Sequence, residues 1–293
     1  MSAASWLIEK IFLLSGAGKR LTPEHFYKKL RKNAIRFKKG EKLRSPFLGV
    51  KVESDVYCGM RYYVFLPKEV DTARSVMYLH GSGYMCAHRT VQERFAAQLA
   101  KNTHAKVYFP IYPKLPMDTV TPCLAVLNNF YSFLARKGEI FLIGDSSGAS
   151  LSLVLAAERK DIRRVIAISP WLILSLCVEA RKAEKDVVLS LDMLERVARL
   201  WAYDLPFEHP KLSPYYGDYS GKEIMLFAGE WERFCPEIKR FVSEKRGECL
   251  SLTCEVGREQ QHCYPLMPTP EGREARAVIY RKLHEWLYGG EGI

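Results

Sequence analysis

Short apolar runs alternate with longer amphipathic stretches along most of this chain, and that rhythm limits its fold more than any other feature. Residues 75–79, 106–109 and 139–143 read as strands, each followed by a helical pattern, over about 91–101, 120–136 and 149–157. Strand then helix, three times over, predicts parallel βαβ units. The series continues with strands at 164–169, 223–228 and 250–256 and ends in a helix at about 271–288. Ahead of it, 50–56 and 61–66 predict an antiparallel pair, turned near Cys58-Gly59 and ended by Pro67.

One long interruption breaks the rhythm. Residues 171–222 hold a helix whose apolar positions Val187, Leu191, Leu194, Ala198 and Trp201 recur at three- and four-residue spacing behind a cap at Ser190. An insertion beyond the C-terminal edge of a parallel sheet is placed to cover a site there. Residues 1–45, also helical in pattern, are expected to join it as a cap, leaving 46–170 and 223–293 as the core.

With 293 residues, 48% hydrophobic and 26% charged, the chain has the composition of a globular protein with a sizeable core. The apolar stretch 6–14 is interrupted by Glu9 and Lys10, with no basic region ahead of it, so neither an export signal nor a spanning helix is expected. Eight cysteines without a C-x-x-C pair point to free thiols in a reducing cytoplasm rather than to disulfides or zinc. The net charge of +11 is not a nucleic-acid signal, because residues 1–50 carry twelve Lys or Arg against three Glu. Such a segment is either a solvated helix face or one drawn to an anionic membrane surface.

Gly144-Asp145-Ser146-Ser147-Gly148 lies between an apolar strand and an apolar helix. A serine at such a turn has an exposed hydroxyl, and glycines two residues either side let strand and helix approach without Cβ clashes. Ser146 is therefore the candidate nucleophile. His80-Gly81-Ser82-Gly83-Tyr84 follows an earlier strand. Its Ser82 and Gly83 N–H groups, with that of Ser147, form a candidate oxyanion pocket, where losing one donor costs about 2.7–4 kcal/mol of barrier.

These residues resemble the hormone-sensitive-lipase-like branch of the α/β-hydrolases, whose members carry H-G-G-G and G-D-S-A-G. The resemblance spans roughly 48–288, and Ser213-Pro214-Tyr215-Tyr216-Gly217-Asp218, Ala228-Gly229 and Gln261-His262-Cys263-Tyr264-Pro265-Leu266 resemble a bacterial esterase subgroup. It implies an α/β-hydrolase fold with a mostly parallel eight-stranded sheet, flanking helices and a helical cap. It also implies carboxylester hydrolysis, a small-molecule ester as partner and no cofactor or metal. Ser82 departs from the pattern by replacing a glycine, and Ala149 stands where many relatives have another glycine.

The chain order of this fold, nucleophile then acid then histidine, leaves His209, His262 and His284 as candidate bases. His262 follows the last strand and is favoured. For the acid, Glu230 and Glu232 both follow the penultimate strand, and the resemblance to the subgroup favours Glu232, with Glu237 a loop support. His80 and Asp145 are expected to be structural. Tyr84, Met85, Trp171, Leu172, Trp201 and Tyr264 are candidate pocket walls. An amide deacetylase or peptidase on the same residues, or a non-catalytic binding homologue, are the alternatives.

Overall fold

The computed structural model describes residues 1–16, 18, 22–44, 49–70 and 73–289. Its strands are β1 (Val50–Tyr57), β2 (Met60–Pro67), β3 (Ser75–Leu79), β4 (Lys106–Pro110), β5 (Ile140–Asp145), β6 (Arg164–Ile168), β7 (Glu223–Gly229) and β8 (Ser251–Gly257). They form one sheet in the order β1-β2-β4-β3-β5-β6-β7-β8. β2 pairs antiparallel with β1 and β4, and every other neighbouring pair is parallel. The central strands β3 and β5 are buried along their whole length, which is why they read as continuous apolar runs rather than alternating ones.

Alternate side chains feed two cores, one on each face of the sheet. Val76, Tyr78, Phe141 and Ile143 pack under α3 (Thr90–Thr103) and α9 (Pro270–Tyr288). Met77, Leu79, Ile140 and Leu142 pack under α4 (Val120–Ala135), α5 (Ser147–Glu158) and α8 (Cys235–Lys245). The sequence reading has no counterpart for α8. Its buried apolar residues, Ile238, Phe241 and Val242, lie among Lys239, Arg240, Glu244 and Lys245, too short a stripe to stand out.

Two further regions lie outside this frame. α1 (Ala3–Ser15) and α2 (Pro23–Lys38) precede the sheet, and α6 (Val178–Arg181) and α7 (Leu191–Ala202) lie between β6 and β7. Ser190 is the N-cap residue of α7, as the pattern predicts, but its hydroxyl is buried without a partner and makes no capping bond. The expected boundary at 45/46 falls outside the described residues.

A buried charged cluster fastens the chain after α2 to the sheet. Glu41 Oε1 lies 2.7 Å from Lys114 Nζ, and Glu41 Oε2 lies 3.1 Å from His88 Nδ1. His88 Nε2 in turn lies 3.0 Å from Glu93 Oε1. Burial pushes the Glu41 carboxyl up, but His88 and Lys114 outweigh it and hold the pKa at about 2. Removing one partner of a buried pair strands the other charge, so Glu41→Ala is expected to cost about 3–5 kcal/mol in urea unfolding. The group's pKa is depressed on folding, so its stabilisation is complete above 4.5 and fades as pH falls towards about 2. The variant's deficit should therefore be largest near neutrality and shrink in acid; a deficit independent of pH would contradict this account.

Candidate active site

Three loops at the C-terminal ends of parallel strands meet at one point, where ligands bind in open α/β sheets. The turn from β5 into α5 holds Ser146 at φ 52°, ψ −126°, a conformation that side-chain-bearing residues seldom adopt. A Cβ on Gly144 would lie 2.5 Å from the Gly148 carbonyl carbon, and one on Gly148 would lie 2.0 Å from the Leu79 carbonyl oxygen. Only glycine fits at either place.

The loop after β8 brings His262 Nε2 to 2.9 Å from Ser146 Oγ. The loop after β7 brings Glu232 Oε2 to 3.1 Å from His262 Nδ1. The sequence-predicted serine, histidine and glutamate thus form one hydrogen-bonded line. Glu230 turns away and accepts from the Glu259 N–H at 2.8 Å. Glu237 supports neighbouring chain, accepting from the N–H groups of Cys177 (2.6 Å) and Ile173 (3.4 Å), and burial pushes its pKa up to about 7.

Burial governs the electrostatics here. It raises the Glu232 pKa against the opposing pull of His262. Burial alone would lower the His262 pKa, yet the net direction is well upward, and we assign this to the Glu232 carboxylate on Nδ1. The neighbouring Cys263 thiol is itself pushed up by burial, so it stays neutral and supplies no charge.

Asp145 ties the nucleophile turn to the loop after β3. It accepts from Tyr78 Oη (2.7 Å), the Gly81 N–H (2.8 Å) and Gln92 Nε2 (2.7 Å), a structural role as expected. His80 is buried against Tyr112 and Phe109, and burial lowers its pKa well below the usual value, so it stays neutral. Of the three expected oxyanion donors, the Ser82 N–H donates to Ser147 Oγ at 2.9 Å. The Gly83 N–H has no acceptor among the described residues.

Comparison with known proteins agrees with this fold. Residues 76–266 match a family described as having the alpha/beta hydrolase fold. The chain belongs to the α/β-hydrolase-fold family. It is similar to the "Putative acetyl-hydrolase LipR" of Mycobacterium tuberculosis, with 27% identity over 77% of this chain and 78% of that protein. Its fold is similar to that of a "putative esterase from Staphylococcus aureus" (TM-score 0.88, 21% identity, 94% and 98% of the two chains). It is likewise similar to an esterase of the bacterial hormone-sensitive lipase family (TM-score 0.83, 18% identity, 98% and 99% covered).

Around Ser146 this hydrolase-fold chain has a pocket of about 140 Å³, walled by Ala87, Val91, Val188, Leu189, Met193 and Leu266. This corrects the sequence reading of the walls. Tyr84, Met85, Trp171, Leu172, Trp201 and Tyr264 are all buried in the cores, with Tyr84 stacked on Trp201 at 4.5 Å, and none lines the pocket. Two positioning residues also escaped it. Gln92 bridges Asp145 and the Gly81 carbonyl, and Ser169 Oγ accepts from the Cys263 N–H at 3.0 Å, holding the histidine loop. A lone glutamine or serine carries no spacing signal.

An imidazole NMR titration tests the electrostatics without reference to turnover. His262 is expected to titrate above the ordinary value of 6.5, and Glu232→Gln to move it downward, because the carboxylate on Nδ1 that opposes burial is then gone. An unchanged titration would separate His262 from Glu232.

Proposed function

We propose that this protein is a serine carboxylesterase acting through Ser146, His262 and Glu232. The observation that carries this reading is the continuous line from Ser146 Oγ through both imidazole nitrogens to a buried carboxylate. Ser146 attacks the ester carbonyl while His262 Nε2 takes its proton, and the tetrahedral oxyanion settles against the N–H groups of Gly83 and Ser147. The C–O bond then breaks, the alcohol leaves with the proton from His262, and the acyl group stays on Ser146. Water attacks the acyl-enzyme with His262 again as base, releasing the acid and restoring the serine. Glu232 holds the tautomer that aims Nε2 at the serine and stabilises the imidazolium.

The pocket's modest volume of about 140 Å³ supports a small acyl group. Lys29 of α2 and Val188, Leu189 and Met193 of the insertion line it, which supports reading 1–45 and 171–222 as one cap. All eight cysteines are free thiols, which favours a reducing cytoplasm.

A fluorophosphonate should label the wild type at Ser146, and Ser146→Ala should lower p-nitrophenyl acetate turnover by roughly 10⁴–10⁶-fold with an unchanged circular-dichroism spectrum. Labelling elsewhere, or undiminished turnover in the variant, would overturn the reading. Parallel ester and amide substrates distinguish it from an amidase, where the ester should be much the faster. A third measurement concerns the competing acceptor in the oxyanion pocket. Ser147→Ala frees the Ser82 N–H, a net hydrogen bond of about 1 kcal/mol, so kcat is expected to rise about fivefold. A fall in kcat would mean that the hydroxyl is needed to hold the loop.

A further inference from the structure

The helix α1 carries most of its large apolar residues on the wrong side for a core element, with only Ile8 and Phe12 half-buried. Trp6, Leu7, Ile11 and Leu14 are 50%, 55%, 55% and 86% exposed, whereas the face turned to the protein includes the polar contacts of Ser5. Ser5 Oγ donates to Glu271 Oε2 at 2.8 Å, and Ser2 Oγ donates to the same oxygen at 2.7 Å. At 100° per residue, Trp6, Leu7, Lys10, Ile11, Leu13 and Leu14 fall on one continuous outward arc. Its single charge, Lys10, lies with Nζ 5.3 Å from the Trp6 ring centroid. A helix anchored through polar groups with its apolar arc in water has the signature of an interfacial helix.

The chemistry beside it narrows the occupant. The neighbouring α2 exposes Lys28, Arg31 and Lys32 and has Glu24 as its sole acidic residue. A second copy docked about a two-fold axis would bring two such basic helices together, whereas an anionic surface would neutralise them. α2 reaches the pocket over Ser146, and α1 lies over a hollow that shares a wall with it. Lys29 of α2 lines the pocket itself, and Met267 is shared between that pocket and the hollow beneath Ser5 and Ile8 of α1.

From this arrangement we infer that α1 inserts its apolar arc into the headgroup region of an anionic lipid surface, with the α2 cations set against the lipid phosphates. α1 then works as an in-plane anchor; among the described residues no helix is long and apolar enough to cross a membrane. The inference goes beyond the hydrolase reading and does not depend on it.

Co-sedimentation of the full chain with phosphatidylcholine vesicles, with and without phosphatidylglycerol, tests the proposal. Binding is expected only with the anionic lipid and should weaken at high salt. The combined variant Leu7→Ser, Ile11→Ser, Leu14→Ser changes only exposed side chains and should melt like the wild type while binding at least about tenfold more weakly. Charge reversal at Lys28, Arg31 and Lys32 should also weaken binding, which separates anionic-lipid docking from nonspecific apolar adhesion. Absence of binding, or binding unaffected by the α1 substitutions, would overturn the proposal. So would a dimer in sedimentation velocity that the α1 substitutions dissociate, because a second copy would then cover the arc. Neither readout uses turnover, so a failed docking test leaves the serine assignment standing, and the reverse also holds.

Discussion

Three places where a methyl group has no room set the geometry of the rest of the site. Beyond the contacts at Gly144 and Gly148, a Cβ on Gly81 would lie 2.4 Å from Asp145 Oδ2 and 2.9 Å from Ser146 Cβ. The start of α5, the end of β3 and the turn carrying Ser146 are therefore pressed together as closely as backbone allows. That contact seats Ser146 beside the loop after β3. It also explains how Ser146 keeps a positive φ: local strain of order 1–3 kcal/mol persists only where surrounding structure over-determines it.

The covering segments are fastened to the same loops that carry the reactive groups. Arg233, next to Glu232, donates its N–H to Asp186 Oδ2 at 2.7 Å and its Nη1 to the Ala180 carbonyl at 2.6 Å. Gln261, next to His262, donates to the Lys185 carbonyl at 2.9 Å and accepts from the Val187 N–H at 3.2 Å. From α2, Asn33 Nδ2 donates to the Met85 carbonyl at 2.7 Å, beside the third loop. The insertion is thus tied to the loops of both Glu232 and His262, and α2 to the loop after β3. The pocket walls and the line of hydrogen bonds are two parts of one packed unit.

How far the sequence revealed this depends on how local each feature is. The sheet could be read because its strands are fully buried runs, and the serine turn because glycines at fixed offsets are demanded by a close approach. His262 followed from chain order once the strands were placed. Glu232 is favoured over Glu230 only by the subgroup resemblance, because local pattern does not show that two residues apart on a turn they point to different neighbours, one exposed on the Glu259 N–H and one buried on the imidazole. The aromatic residues misled for a related reason. Tyr84 stacks on Trp201 and packs at a tilt against Trp171, and composition alone cannot tell a wall that faces a cavity from one that faces another ring. The Glu41 cluster was invisible because its members lie at 41, 88, 93 and 114 and share no spacing.

The departure at Ser82 is joined by a hydrogen bond to Ser147, which stands where the G-D-S-A-G pattern has alanine. Ser82 in place of glycine would cost about 1–2 kcal/mol if that position needed a left-handed backbone. It does not: the positive φ values fall on Gly83 (54°) and Tyr84 (56°), and Ser82 is spared. With that conformation, the Ser82 N–H meets the one side chain in which this chain differs from the pattern's alanine, the hydroxyl of Ser147. The hydroxyl gives the half-buried Ser82 N–H an acceptor within the protein.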